Sequence, residues 1–352
     1  MPREPLSDRR AGILQLVVQD YIETATPVAS RHVVEKYALP ASPATIRHEM
    51  HALEQAGYLT HPHTSAGRVP SNRGYRHFVE SLMGHVELGV AEQASLRHQF
   101  YQAAPAVDEW VGLAATVLGQ SLRLLAIVAP PRPRRLRVRQ MELISLNDLL
   151  ALMIVVVQEA RLIRQLMPLR QPLEAVELSD LAARISGEFR GQSADEVRSA
   201  AQTTPDEDER FILSTLARVL DHDVQRAAVP SISGLGGMIA QPEFQTEPDR
   251  SLELIELVDR QAIDELVPTA VIDHGAETGM SVLIGEDHPS EVLQGCSLVI
   301  APYGVHDDAE GAPGYVGVIG PTRMNYMRSI AAARFYSHLL EELMDTVYGA
   351  NA

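Results

Sequence analysis

The sequence predicts an α+β protein of several domains, helical at its N-terminus and mixed thereafter. Three observations predict it. Residues 1–83 hold three stretches of helical apolar spacing, then a short strand and a loop containing Gly67, Arg68 and Pro70. Beyond residue 130, strand-like runs flank a long helical block, giving the order sheet, helices, sheet. Charge divides along the same line: residues 1–83 carry nine Lys and Arg against eight Asp and Glu, plus six of the 13 histidines, while the remainder carries 21 against 38. A near-neutral head precedes an acidic body, so an anionic partner is tolerated by the head alone.

Several classes are excluded by composition. With 352 residues, 45% apolar and 22% charged, the chain is long and apolar enough for a packed core. Cys296 is the single cysteine, so no intramolecular disulfide forms, and a reducing, cytoplasmic setting is expected. The longest apolar run, Leu149 to Val157, has nine residues where a membrane helix needs about 20. The N-terminus lacks the apolar block of a secretory signal. No membrane partner is expected.

The head is read element by element. Ile13, Leu14, Val17, Val18, Tyr21 and Ile22 mark a first helix, with Ser7 or Asp8 at its start. Thr24 to Pro27 break it, and Ser30 opens a second helix whose Val33, Val34 and Tyr37 turn inward. The third helix has Ser42 as N-cap and Pro43 at its first position, where a missing N–H costs nothing. Its Ile46, Met50 and Leu53 form a buried seam, which sends Thr45, Arg47, His48 and His51 to other faces. Gly57 ends it, Tyr58 to His61 form a strand, and the chain turns through Pro62 to Pro70. Arg73 and Arg76 follow on a further amphipathic helix.

Helix, turn, helix, strand and basic loop is the order of a winged helix-turn-helix. A helix of about 10–12 Å diameter fits the roughly 12 Å major groove, and its N-terminus offers N–H groups and a positive dipole to phosphate. The candidate DNA-binding residues are Ser42, Thr45, Arg47, His48 and His51, with Arg68 in the loop and Gly67 allowing close approach. A three-helix unit with a polar face equally serves as a protein-interaction module. His61 and His63 flank Pro62 and invite a metal reading, but no second ligand pair or cysteine accompanies them, so no metal is expected.

In the body, Trp110, Val111, Leu113, Val117, Leu118 and Leu122 are core candidates, and Pro130 to Pro133 mark a boundary. Arg132, Arg134, Arg135, Arg137 and Arg139 form the densest positive run, which reads as a second phosphate contact or as the edge of a sheet beside an acidic surface, the latter favoured by the alternation from Arg137 onward. Asn147-Asp148 makes a turn into a buried strand, Leu149 to Val157. Residues 180–220 are helical, interrupted by the acidic turn Pro205 to Glu209. Strands resume at Val282 to Ile284, Ser297 to Ile300 and Gly317 to Ile319, and a last helix carries Tyr336, Leu339, Leu340, Leu343 and Val347 as a core stripe. No catalytic constellation emerges. Gly234-Leu235-Gly236-Gly237 lacks the strand, helix and downstream acid of a nucleotide fingerprint and reads as a turn, and Cys296 reads as a buried thiol. No enzyme activity and no cofactor are expected.

These residues resemble a known family. Tyr21-Ile22-x-Thr24, Pro27-Val28-x-Ser30-Arg31, Ser42-Pro43-Ala44-Thr45-Ile46-Arg47-x-Glu49-Met50, Leu53-Glu54-x-x-Gly57-Tyr58 and Pro62 to Pro70 look like the heat-inducible transcription repressor HrcA family. So do Gln241-Pro242-Glu243-Phe244, Ile284-Gly285-Glu286, Cys296-Ser297 and Gly320 to Tyr326 near the far end. His48 stands where the family usually has asparagine, and Ala29 where glycine is common. Asparagine reads adenine bidentately and histidine cannot, so base preference at His48 is not carried over.

The resemblance implies a winged helix at 1–83, then a GAF-like α/β domain in two parts, 84–175 and 251–352, carrying an inserted dimerising domain bracketed at 176–250. It implies a negative regulator of chaperone operons that binds an inverted-repeat operator on double-stranded DNA as a homodimer. It further implies that the chaperonin assists repressor folding, so that heat stress, by occupying the chaperonin, lowers active repressor. The alternative is a winged-helix regulator whose GAF-like body senses a small molecule.

Overall fold

Local signals at the N-terminus fold into the helices the sequence predicts. The computed structural model describes residues 6–61, 67–84, 86–104, 106–133, 135–157, 162–226, 229–246, 248–260, 262, 266–268, 272, 278–304 and 311–348. Helices α1 (Asp8–Thr24), α2 (Ser30–Lys36) and α3 (Pro43–Gln55) bury Leu14, Val17, Val33, Ile46, Met50 and Leu53 against one another. Ser42 caps α3 by accepting from Thr45 N–H at 3.1 Å, with Pro43 directly behind it. Ser7 and Ser30 do not cap: Ser7 makes no side-chain bond to α1, and Ser30 lies inside α2, buried. Strands β1 (Leu59–Thr60) and β2 (Val69–Pro70) pair antiparallel, and α4 (Asn72–His77) runs on into a π turn, Phe78–Leu82. Gly74 is required there, since a Cβ would lie 2.2 Å from the Tyr58 carbonyl oxygen.

The remaining elements are α5 (Val90–Gln102), α6 (Val107–Leu122), β3 (Leu125–Ala129), β4 (Arg132–Pro133), β5 (Val138–Asn147), β6 (Leu150–Val157) and β7 (Leu162–Pro168). After them come α7 (Ala175–Glu188), α8 (Ala194–Thr203), α9 (Glu207–Arg226), β8 (Ser231–Ser233), α10 (Leu235–Ile239), α11 (Pro242–Thr246) and α12 (Pro248–Asp259). The chain closes with β9 (Ser281–Ile284), β10 (Cys296–Tyr303), β11 (Gly311–Ala312), β12 (Gly314–Pro321) and α13 (Tyr326–Tyr348).

Contacts divide the chain into two units. The first comprises residues 1–128, 231–303 and 315–340, and the second 129–230, 304–314 and 341–352. A five-stranded sheet of order β8-β3-β12-β10-β9 forms the centre of the first. Every residue of β3 and β12 is buried, as continuous apolar strands covered on both faces require. Tyr336, Leu339 and Leu340 of α13 are buried as the core stripe predicts. Cys296 is buried on β10, where desolvation pushes its thiol up to about 12, in keeping with an inert structural thiol.

The second unit holds the antiparallel meander β5-β6-β7 with α7, α8 and α9. β6 was expected to be wholly buried, but its burial alternates: Ala151, Met153, Val155 and Val157 face the helices while the residues between them do not. One covered face and one open face is what an antiparallel meander allows. The acidic turn at 205–209 opens α9, where Asp206 accepts from the N–H groups of Asp208 and Glu209 and acids favour the positive helix end. Arg135 pairs with Asp195 and Arg137 with Glu196, so these arginines edge a sheet beside acids of α8. The contact division falls at 128/129 and 230/231. The reason is pairing: β5, β6 and β7 bond only to one another among the described strands, and their inner side chains share a core with the helical block.

Within the first unit, residues 1–83 bond to segments flanking the five-stranded sheet. Arg323, after β12, donates to the Ile22 carbonyl at 3.1 Å, to Gln241 Oε1 at 3.0 Å and to both carboxylate oxygens of Glu243. The Tyr75 ring lies 5.7 Å from that of Tyr326, and Arg76 pairs with Asp287. The Arg323 side chain is 12% exposed, so removing it strands a half-buried carboxylate. We expect Arg323→Ala to lower unfolding free energy by about 2 kcal/mol in urea titration, whereas Arg328→Ala, which frees an exposed pair with Glu92, costs under about 0.5 kcal/mol.

Candidate nucleic-acid interface

Because α3 buries Ile46, Met50 and Leu53, the 3.6-residue period leaves Ala44, Arg47, His48, His51 and Gln55 as an exposed stripe. It contains no acid. Among the described residues neither the Arg47 nor the His48 side chain has a hydrogen-bond or ion-pair partner. Their polar ends are therefore available to a ligand without breaking anything.

The N-terminus of α3 offers less to an anion than its dipole suggests. Pro43 has no N–H, and the Thr45 N–H is already held by Ser42. The Ser42 and Thr45 hydroxyls also bond each other at 2.8 Å, so these two form one linked polar pair at the helix start.

Three other candidates converge on a residue that sequence reasoning missed. Glu54, in the last turn of α3, accepts from Arg68 Nη2 at 3.1 Å and Nε at 3.2 Å, from His51 Nδ1 at 3.2 Å, and from His61 Nδ1. Burial raises the Glu54 carboxyl, but the bonds from Arg68, His51 and His61 outweigh it, and the group is held below its ordinary value. An ionised carboxylate only accepts, so His51 donates through Nδ1 and, when neutral, shows Nε2 outward as an acceptor. The three-residue spacing of His51 and Glu54 was a readable signal. Neither His61 nor Arg68 could be assigned to Glu54 without the β1-β2 pairing.

The side chain of Arg68, the loop candidate for the duplex, is 12% exposed and lies on Glu54. Its backbone exchanges two 2.9 Å hydrogen bonds with Val28. Gly67 serves that bridge, because a Cβ there would lie 2.5 Å from the Val28 backbone. His63 and the rest of 62–66 lie outside the described residues. Arg73 is also engaged, donating to the Ala56 carbonyl at 2.6 Å at the end of α3, with its guanidinium 4.2 Å from the Tyr58 ring centroid.

On α2, Arg31 pairs with Glu35, while Lys36 and His32 both reach buried Asp20 of α1. The positive charge of α2 is thus compensated internally, and Arg47 remains as the exposed cation of the α3 stripe. Among the described residues no histidine, cysteine or carboxylate group forms a metal-binding cluster, and no helix is long and apolar enough to cross a membrane.

Known proteins resemble this chain along its length. The profile of the HrcA protein C terminal domain matches residues 108–330. The heat-inducible transcription repressor HrcA of Roseiflexus castenholzii is 38% identical, covering 98% of this chain and 96% of its own. Those of Chloroflexus aggregans and Thermomicrobium roseum are each 37% identical, covering 99% and 98% of this chain and 95% and 97% of their own. A crystal structure at 2.2 Å described as that of a hypothetical protein superposes with a TM-score of 0.65 at 21% identity, covering 99% of this chain and all of the other, which shows a shared fold. Mixed helices and sheets, an acid-free stripe on α3 and full-length identity above 30% converge: the chain belongs to the HrcA family of heat-inducible transcription repressors.

Proposed function

We propose that the chain represses chaperone genes by binding an inverted-repeat operator as a homodimer. Residues 6–83 act as a winged helix-turn-helix, the five-stranded sheet and its helices as a GAF-like body, and the second unit as the dimerising insertion. The observation that carries DNA binding is the α3 stripe, where Arg47 and His48 stand exposed and uncommitted beside His51. Inserted in a major groove, Arg47 suits the O6 and N7 acceptors of guanine, and His48 and the His51 Nε2 offer single contacts. The Ser42 and Thr45 hydroxyls at the helix start suit phosphate or a base edge.

Pairing is supported by the open face of the meander. In register across its strands, Ile144, Leu152 and Leu166 form one row, and Val156 lies beside Leu162 in another. Ile144, Leu162 and Leu166 are 42%, 51% and 54% exposed. An open antiparallel face normally carries polar residues, and although Gln140, Glu142 and Arg164 do lie on this one, its exposed aliphatic side chains call for a cover. A second copy of the same face supplies it with two-fold symmetry, which matches a palindromic operator. The family resemblance adds the chaperonin as folding partner, so that heat lowers the supply of active repressor without ligand chemistry.

The test is a gel shift with palindromic DNA from upstream of the organism's chaperone genes against a scrambled duplex. Equal wild-type affinity for both would defeat the repressor reading. Arg47→Ala is expected to cost about 1–3 kcal/mol on the operator and much less on the scrambled duplex. In sedimentation, Leu166→Asp is expected to convert the dimer to a folded monomer with weakened operator binding; a persistent dimer would place the contact elsewhere.

A further inference from the structure

Glu54 sits where a carboxylate is electrostatically out of place. It occupies the last turn of α3, beside the negative end of the helix dipole, and is only one-fifth exposed. Donors offset both penalties: the Arg68 guanidinium lies before β2, His61 after β1 and His51 one turn back on α3, and all three bond its two oxygens. Every one of these belongs to the module that the proposed function places on DNA. We propose that Glu54 is an internal stand-in for a DNA phosphate, holding Arg68 off the duplex and so limiting how tightly the head grips any sequence.

This inference rests on the DNA-binding reading above. A guanidinium bonded through Nε and Nη2 to a carboxylate uses the donors that would clasp two phosphate oxygens. The exchange is a side-chain matter, because the Arg68 backbone is fixed by its two bonds to Val28 and only the side chain must swing. Each phosphate neutralised by an arginine adds about 0.9 to the slope of log affinity against log salt, independent of sequence. Compensating Arg68 therefore removes one such contact from operator and random DNA alike. Recognition is left to the uncommitted stripe of α3, and the complex dissociates more readily.

The experiment is fluorescence anisotropy of labelled operator and scrambled duplexes with the full chain, titrated from about 50 to 200 mM salt. Wild type, Glu54→Gln and the double variant Glu54→Gln/Arg68→Gln are compared. Glu54→Gln frees Arg68, so on both duplexes it should bind tighter at low salt and lose about threefold more affinity than wild type across that range. The double variant removes a neutral pair and should return to the wild-type slope. An unchanged or flatter slope for Glu54→Gln overturns the proposal, as does a double variant flatter than wild type by about one contact, since Arg68 would then already lie on phosphate. If circular dichroism shows Glu54→Gln unfolded at the assay temperature, the double variant against wild type decides. Failure of the repressor reading appears separately, as wild-type affinity that does not distinguish the two duplexes.

Discussion

One guanidinium holds the first unit in its arrangement. Arg323 follows the last strand of the five-stranded sheet, yet its donors reach Ile22 at the end of α1 and both Gln241 and Glu243 at the start of α11. A fork of five N–H groups suits that position, because it satisfies a carboxylate, an amide oxygen and a backbone carbonyl at once. A lysine is a point donor and would leave part of this set unmet. The tilted ring contact of Tyr75 with Tyr326 and the Arg76 pair with Asp287 lie along the same junction. The N-terminal helices are thereby bonded to the rest of the first unit as well as tethered to it.

This junction gives the dispersed family signatures a shared physical purpose. Gln241 to Phe244 supplies the partners of Arg323, and Gly320 to Tyr326 supplies Arg323 itself and the buried Tyr326. The Tyr326 hydroxyl bonds Ser297 beside Cys296, and Gly285 lies so close to Asn72 that a Cβ would meet its side chain at 2.3 Å. Segments with no catalytic chemistry among them are thus accounted for by the need to close the N-terminal helices onto a sheet.

The α3 helix shows how a polar surface is divided between internally paired and open side chains. Its buried seam fixes which residues face out, after which partners decide which remain available. Arg68, Arg73, Arg31 and Lys36 are all drawn to oxygens of the protein, and Arg47 and His48 are not. A count of basic residues in the head therefore overstates its attraction to phosphate. In the second unit the corresponding division is between two sheet faces: one is closed by α7 to α9, and the other presents aliphatic rows.

The N-terminal helices, the Ser42 and Pro43 start of α3, the Gly57 stop and the stripe of the last helix were legible in the residue order, because each depends on neighbours within one or two turns. So was the separation of seam from exposed face on α3. The partner of Arg68 lies 14 residues away, and the Ile22 carbonyl lies 301 residues from Arg323. Strand β7 and the contact division at 128/129 and 230/231 also escaped local reading, since strand pairing and shared cores are properties of chain closure. By itself the sequence determined where helices begin, which faces they bury and to which family the chain is related. Only the tertiary structure decided which charges are spent internally and which sheet each strand joins, because hydrogen bonds and ion pairs act over a few ångströms of space whatever the separation along the chain.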